Sequence, residues 1–330
     1  MDTIRDMNSA PLPPWLHPLG PGLWCIDTGL ERDHFDACYL MVDEGRAAFL
    51  DTGHNAAVPR LLGALDHLGL GPDSVDWVIP THVHLDHAGG AGLLMQQLPH
   101  ARALIHPKGA RHLIQPIALI EGAKAVYGAE VMARTYGEIQ PIDEQRVVRS
   151  HDEQRIQVGQ RELRLIDAPG HANHHHAIWD ERSRGWFTGD TYGISYRELD
   201  GAAGIFLFPT TTPVQFDPAA LRQTTARMAA AHPQWLYLTH YGAVPHDERV
   251  ARQFQDLLTV FETRTLALAD EPVAGREAAL RHMVGQALLE ALRESGSTVS
   301  DERAHDVLDF DIQLNAQGLQ VWLNRRSSVR

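Results

Sequence analysis

The segment "THVHLDHAGG", residues 81–90, places His82, His84, Asp86 and His87 within six positions. Imidazoles and a carboxylate at that density are donors for a divalent metal, and without thiolate they suit zinc, manganese or iron. The plain alternative is a polar turn in a chain that carries 20 histidines. Four further polar residues share one placement, each just past a strand-like run. They are Asp51 after "AAFL", His171 after "LRLIDAPG", Asp190 after "GWFTG" and His240 after "LYLT". Strand ends on one sheet edge can bring distant residues together, and active sites in α/β folds favour such edges. Joined to the first cluster, His171, Asp190 and His240 complete a set of five histidines and two aspartates. That is enough for two ions with three protein ligands each and one shared carboxylate. Two adjacent ions can hold a bridging water and bring its pKa toward neutrality, and open positions remain for substrate.

The elements that must position these residues alternate along the chain. "LWCIDT", "ACYLMVD" and "RAAFLD" read as strands, and "AVPRLLGALDHLGL" as a helix with Val58, Leu61, Leu62, Leu65 and Leu68 at helical spacing. "VDWVIP" is a short strand that leads directly into the His82 cluster. A helix over about Gly89–Leu98 and the strand "RALIH" follow. Residues 107–145 carry helical pieces broken by Pro116, Gly122, Gly128, Gly137 and Pro141, an insertion in a sheet scaffold. Strands resume with "RIQVG", "LRLIDA", "AIWD" and "GWFTGD". The loop "FLFPTTTPVQFDP" leads to a helix over about 218–231, and "WLYLTH" is the last clear strand. Helices are expected over about 247–268 and 277–294. In the tail, Phe310, Ile312 and Leu314, then Leu319, Val321 and Leu323, alternate as in a hairpin, with a helix left open. The expected organisation is an arm over 1–21, a catalytic domain over 22–245 and a mainly helical extension over 246–330.

The chain has 330 residues, 44% hydrophobic and 22% charged, an ordinary globular composition, with net charge −13. Acidity argues against nucleic acid or an anionic membrane as the main partner, since both need a basic footprint. Lys108 and Lys124 are the only lysines. Cys25 and Cys38, in apolar strand-like runs, read as buried thiols rather than a disulfide framework. No apolar leader and no membrane-spanning run is seen, so a cytoplasmic location and a small-molecule substrate are expected.

The HxHxDH segment, Asp51-Thr-Gly, Pro-Gly-His171, Thr-Gly-Asp190 and Thr-His240 resemble, in order, the five motifs of the metallo-β-lactamase superfamily. The resemblance spans roughly residues 22–245 and implies an α/β fold, a four-layer αββα sandwich with its site at one edge. It implies that His82, His84 and His171 hold the first metal and that Asp86, His87 and His240 hold the second. Asp190 would bridge them, and Asp51 would orient the ligand loop. Histidine rather than cysteine around the second metal resembles the glyoxalase II and lactonase branches.

The function expected is a dinuclear hydrolase, with zinc first and manganese or iron as alternatives, acting on a small ester, thioester or lactone. The bridging hydroxide attacks the carbonyl, the first metal polarises its oxygen, and the second takes up charge on the leaving group. Asp86 is a candidate proton carrier to that group. Tyr192 is a candidate donor to a developing oxyanion, ahead of Tyr196 and Tyr241. A mononuclear iron persulfide dioxygenase and a small-phosphoester hydrolase are the rival enzymes. A non-catalytic module that kept the fold is the rival outside catalysis. His174, His175 and His176 are read as loop or strand residues, His34 and His54 as ordinary. Phe206, Phe208 and Phe216 are read as either a substrate wall or core. The 107–145 insertion is read as a partial lid, and the C-terminal helices as a pocket cap or a homodimer interface.

Overall fold

A computed structural model describes residues 11–327. The chain divides into two compact units, one holding the residues up to Asp167 with His176–Gly189, the other Ala168–His175 with the residues from Asp190 on. This division falls inside the 22–245 stretch rather than at its end.

In the first unit one sheet runs in chain order: β1 (Leu16–Gly20), β2 (Leu23–Asp27), β3 (Ala37–Asp43), β4 (Arg46–Leu50), β5 (Val75–Ile79), β6 (Arg102–Ile105) and β7 (Val147–Arg149). Pairing is antiparallel from β1 to β4 and parallel from β4 to β7. Parallel strands need cover on both faces, which is why β4 and β6 are buried almost throughout. Helix α1 (Val58–His67) links β4 to β5, and α2 (Leu85–Ala88) and α3 (Ala91–Gln97) link β5 to β6. Val58, Leu61, Ala64 and Leu65 form one stripe of α1, buried with Ile26, Leu40 and Phe49 of the sheet. Each leucine buried in that way contributes about 1.5–3 kcal/mol.

The insertion is helical, as its breakers suggest: α4 (Pro107–Ile114), α5 (Ile117–Tyr127), α6 (Ala129–Val131) and a π-helical turn over Met132–Tyr136. It is fastened to the unit at its end. Asn55 donates to the carbonyls of Tyr136 and Glu138 at 2.9 and 2.8 Å. A Cβ on Gly92 of α3 would lie 1.9 Å from the Gln140 carbonyl oxygen, so only glycine allows that approach.

An antiparallel meander follows: β8 (Arg155–Val158), β9 (Arg161–Asp167), β10 (His176–Asp180) and β11 (Gly185–Gly189). It packs on the first sheet, with the rings of Tyr39 and Phe187 5.1 Å apart and Trp77 donating to the Gln157 carbonyl at 3.1 Å. The first unit is therefore helix on sheet on sheet. Cys25 and Cys38 are buried thiols that are not joined in a disulfide.

The second unit carries α7 (Pro218–Ala229), the hairpin β12 (Trp235–Leu238) and β13 (Gly242–Pro245), and the long helices α8 (Glu248–Ala267), α9 (Val273–Glu294) and α10 (Asp301–Ser327). Asp217 caps α7 by accepting from the amides of Ala219 and Ala220, and Asp247 caps α8 through Val250. No described helix is long and apolar enough to cross a membrane.

Two expectations change. Leu16–Gly20 of the expected arm is a strand paired to β2, while residues 1–10 lie outside the described residues. The tail is α10, not a hairpin: Leu308, Ile312, Ala316, Leu319 and Leu323 are buried at helical spacing, whereas Phe310 is 47% exposed. Buried Asn315, whose Oδ1 accepts from the Thr211 amide at 2.6 Å, interrupts that apolar stripe and hides its period.

His176 ties the two sheets of the first unit. Its amide donates to the Thr81 carbonyl, Nε2 donates to the Pro80 carbonyl at 2.9 Å, and Nδ1 accepts from Ser150 at 2.9 Å. Burial, then the nearby His106 ring, lowers its pKa from 6.5 to about 3. Above pH 6.5 the ring is neutral folded or unfolded. Below it, the unfolded chain takes up a proton that the folded chain refuses, so stability falls between about 6.5 and about 3. Denaturation midpoints followed from pH 7 to pH 5 should fall less steeply for His176→Asn than for the wild type. Parallel slopes would contradict this role.

Candidate metal centre

In the first unit, β5 ends at Ile79 and delivers Thr81 and His82 to the sheet edge, while α2 places Asp86 and His87 one turn on. Asp51, just past β4, sits below them with a positive φ of 57°. Its Oδ1 accepts from the Thr81 amide at 2.6 Å and from the Thr81 hydroxyl at 3.0 Å, and its Oδ2 accepts from His87 Nδ1 at 2.9 Å. Thr52 closes the loop, its amide and hydroxyl donating to the His87 carbonyl at 2.8 and 3.1 Å. Asp51, His82 and His87 are buried, while Asp86 keeps 19% of its side chain exposed.

This geometry fixes which nitrogens can hold a cation. With the Nδ1 proton of His87 on the Asp51 carboxylate, Nε2 carries the lone pair and lies 3.5 Å from Asp86 Oδ2. His82 Nε2 and His84 Nδ1 face each other at 2.8 Å, two ring nitrogens aimed at one small volume.

In the second unit, His171 follows Pro169-Gly170 after β9. The backbone is held there by Asp217, whose amide donates to the Gly170 carbonyl at 2.7 Å, and by Thr224, whose hydroxyl donates to the Pro169 carbonyl at 2.7 Å. Gly170 has φ +134°, and a Cβ on it would lie 2.4 Å from Leu221 Cα. His240 follows β12, and its carbonyl accepts from the Ser195 amide at 2.6 Å. Between them lies Asp190: Oδ2 is 3.4 Å from His171 Nε2, and Oδ1 is 3.7 Å from His240 Nε2. All three side chains are buried. Imidazole and carboxylate donors without thiolate, arranged around a carboxylate that faces two different rings, fit divalent cations of the zinc, manganese and iron kind.

The structure thus brings together Asp51, His82, His84, Asp86 and His87 within one unit, and His171, Asp190 and His240 within the other. Tyr192, expected as a donor to an oxyanion, has its hydroxyl on His246 Nε2 at 3.0 Å and its ring against Phe254 at 5.2 Å. Tyr196 likewise donates to Asp311 at 3.4 Å. Phe206, Phe208 and Phe216 are core. His175 meets the Thr191 hydroxyl at 3.3 Å. Residue types and spacing gave no notice of Thr81, which anchors Asp51, or of Tyr136, and the sequence reads His54 as ordinary. His54 is buried, with Asp86 close enough to act on its charge. Tyr136 stands in the insertion, where no motif marks it.

The sequence profile of the metallo-beta-lactamase superfamily matches residues 32–240. The metallo-beta-lactamase fold-containing protein ST1585 of Sulfurisphaera tokodaii is 26% identical over 228 residues, 68% of this chain and 79% of that protein. The crystal structure of ST1585 superposes with a TM-score of 0.64 at 22% identity, covering 91% of this chain and 99% of the other. TTHA1429 of Thermus thermophilus, a metallo-beta-lactamase family protein, gives 0.67 at 21% identity over 94% and 95%. The chemotaxis sensor ODP, solved as a peroxy diiron species, gives 0.52 at 16% over 74% and 93%. The fold is thus α/β, with two sheets, helices and a helical C-terminal region. The chain belongs to the metallo-β-lactamase superfamily, as a metallohydrolase of that fold.

Proposed function

We propose that this chain is a dinuclear metal-dependent hydrolase of a small ester, thioester or lactone. One observation carries the reading: Asp190 faces two different imidazoles, His171 and His240, a placement in which one carboxylate would serve two ions. His82, His84 and His171 would hold one ion, Asp86, His87 and His240 the other, with Asp190 common to both. Two divalent ions held there, zinc first, would supply an acidified water and Lewis-acid stabilisation of charge on a carbonyl oxygen.

The chain's own residues set the rest. Asp51 fixes the His87 tautomer and holds the Thr81 backbone in place before any ion binds. Asp86 is the member of the His87 pair that water reaches, which suits it to carry a proton to the leaving group. The charge of −13 supports a small substrate over nucleic acid or membrane, and two buried thiols suit a cytoplasmic location.

A panel of esters, thioesters and lactones, assayed before and after chelation and after metal is restored, tests the reading. Turnover of at least one class, lost with chelator and recovered with metal, is expected; turnover indifferent to chelation sinks it. His84→Ala and Asp190→Ala should abolish turnover and lower bound metal while circular dichroism stays native. Full activity in either refutes the ligand assignment. Asp51→Ala should weaken metal affinity or activity about 10–100-fold, as loss of a ligand-orienting carboxylate does. An unchanged metal titration would show that Asp51 is merely structural.

A further inference from the structure

The Asp51 carboxylate reaches a second imidazole through a hydroxyl. Thr81 is 2% exposed, and its backbone is held on both sides. Its amide donates to Asp51 Oδ1 at 2.6 Å, and its carbonyl accepts from the His176 amide at 2.9 Å. The side chain so fixed places Oγ1 3.0 and 3.1 Å from the two Asp51 oxygens, 3.3 Å from His82 Nδ1 and 3.4 Å from His87 Nδ1. A hydroxyl carries one proton and two lone pairs, and a carboxylate only accepts. The Thr81 proton therefore goes to Asp51, because the reverse orientation would set hydroxyl lone pairs against both carboxylate oxygens. The His87 Nδ1 proton already lies on Asp51 Oδ2 at 2.9 Å, a shorter path than the 3.4 Å to Thr81. What Thr81 has left to offer is a lone pair, and His82 Nδ1 is the nitrogen beside it.

Resting on the ligand assignment of the proposed function, we propose that Thr81 is a positioning residue for His82. Its hydroxyl accepts the Nδ1 proton of His82 and so leaves the lone pair on Nε2, the nitrogen that faces His84 Nδ1 at 2.8 Å. One buried carboxylate then sets the tautomers of two histidines, His87 directly and His82 through Thr81. The two belong to different donor groups, His82 with His84 and His87 with Asp86. Loss of the Asp51 carboxylate therefore loosens both groups, whereas loss of the Thr81 hydroxyl loosens that of His82 alone. Threonine ahead of the first histidine serves chemistry rather than shape, since valine would fill the same space without the hydroxyl.

The test uses the full chain stripped of metal, with zinc ion as the probe. At about pH 8, where imidazoles are ordinarily neutral, nitrogen NMR spectra of the wild-type His82 ring should place the proton on Nδ1. Thr81→Val keeps both backbone bonds, to Asp51 and from His176. It should show the Nε2–H form of His82 and bind one of two zinc ions about 10-fold more weakly, the other within about twofold. Thr81→Ser, which keeps the hydroxyl, should match wild type in tautomer and in zinc titration. A wild-type His82 protonated on Nε2 overturns the proposal whatever the variants do. So does a serine variant as weak as the valine one, or a valine variant as tight as wild type. A wild type that takes up no zinc overturns the ligand assignment and this role with it. Turnover enters none of these readouts, so a failure of the substrate panel sinks the hydrolase reading separately.

Discussion

A buried carboxylate, Asp51, holds the ligand loop together. It joins three things that sequence separates: the end of β4, the Thr81 backbone after β5, and the His87 ring on α2. Burying a charge costs several kcal/mol. Charge-assisted hydrogen bonds of about 1.5–3 kcal/mol each offset that cost, and Asp51 accepts from an amide, a hydroxyl and an imidazole. The balance closes only with every partner in place. The parallel pairing of β4 and β5 therefore matters chemically, since it sets Asp51 beside Thr81.

The second unit meets the same problem with different means. His171 and His240 stand on loops fixed by backbone bonds and by a close approach at Gly170, with Asp190 between them. In both units a carboxylate faces an imidazole. At His87 the bond fixes a tautomer, whereas at Asp190 two rings face one carboxylate from two sides.

The candidate metal donors stood out in the sequence because such chemistry demands particular side chains at particular places: strand ends, one short helix, one His-x-His step. The long apolar runs and the breakers of the insertion were legible for the same local reasons. Other features depend on tertiary contact and leave no local trace. β7 and β13 are short strands made by pairing rather than by an apolar pattern. In α10, Asn315 and Gly318 sit in the buried stripe, where a Cβ on Gly318 would meet the Thr211 carbonyl, and the broken stripe mimics a strand period. Tyr192 lies beside Asp190 in sequence, but that its ring turns to Phe254 and its hydroxyl to His246 has no local sign. Tyr136 was invisible because a π-helical turn, not a motif, carries it to Leu85.

Metal stoichiometry bears most directly on the dinuclear centre. Protein purified without added metal, analysed for its elements per chain beside the turnover number, should contain two divalent ions at full activity, with activity tracking occupancy of the second. One ion per chain at full turnover, above all one iron with thiol-dependent oxygen uptake, would contradict it and make the shared role of Asp190 untenable.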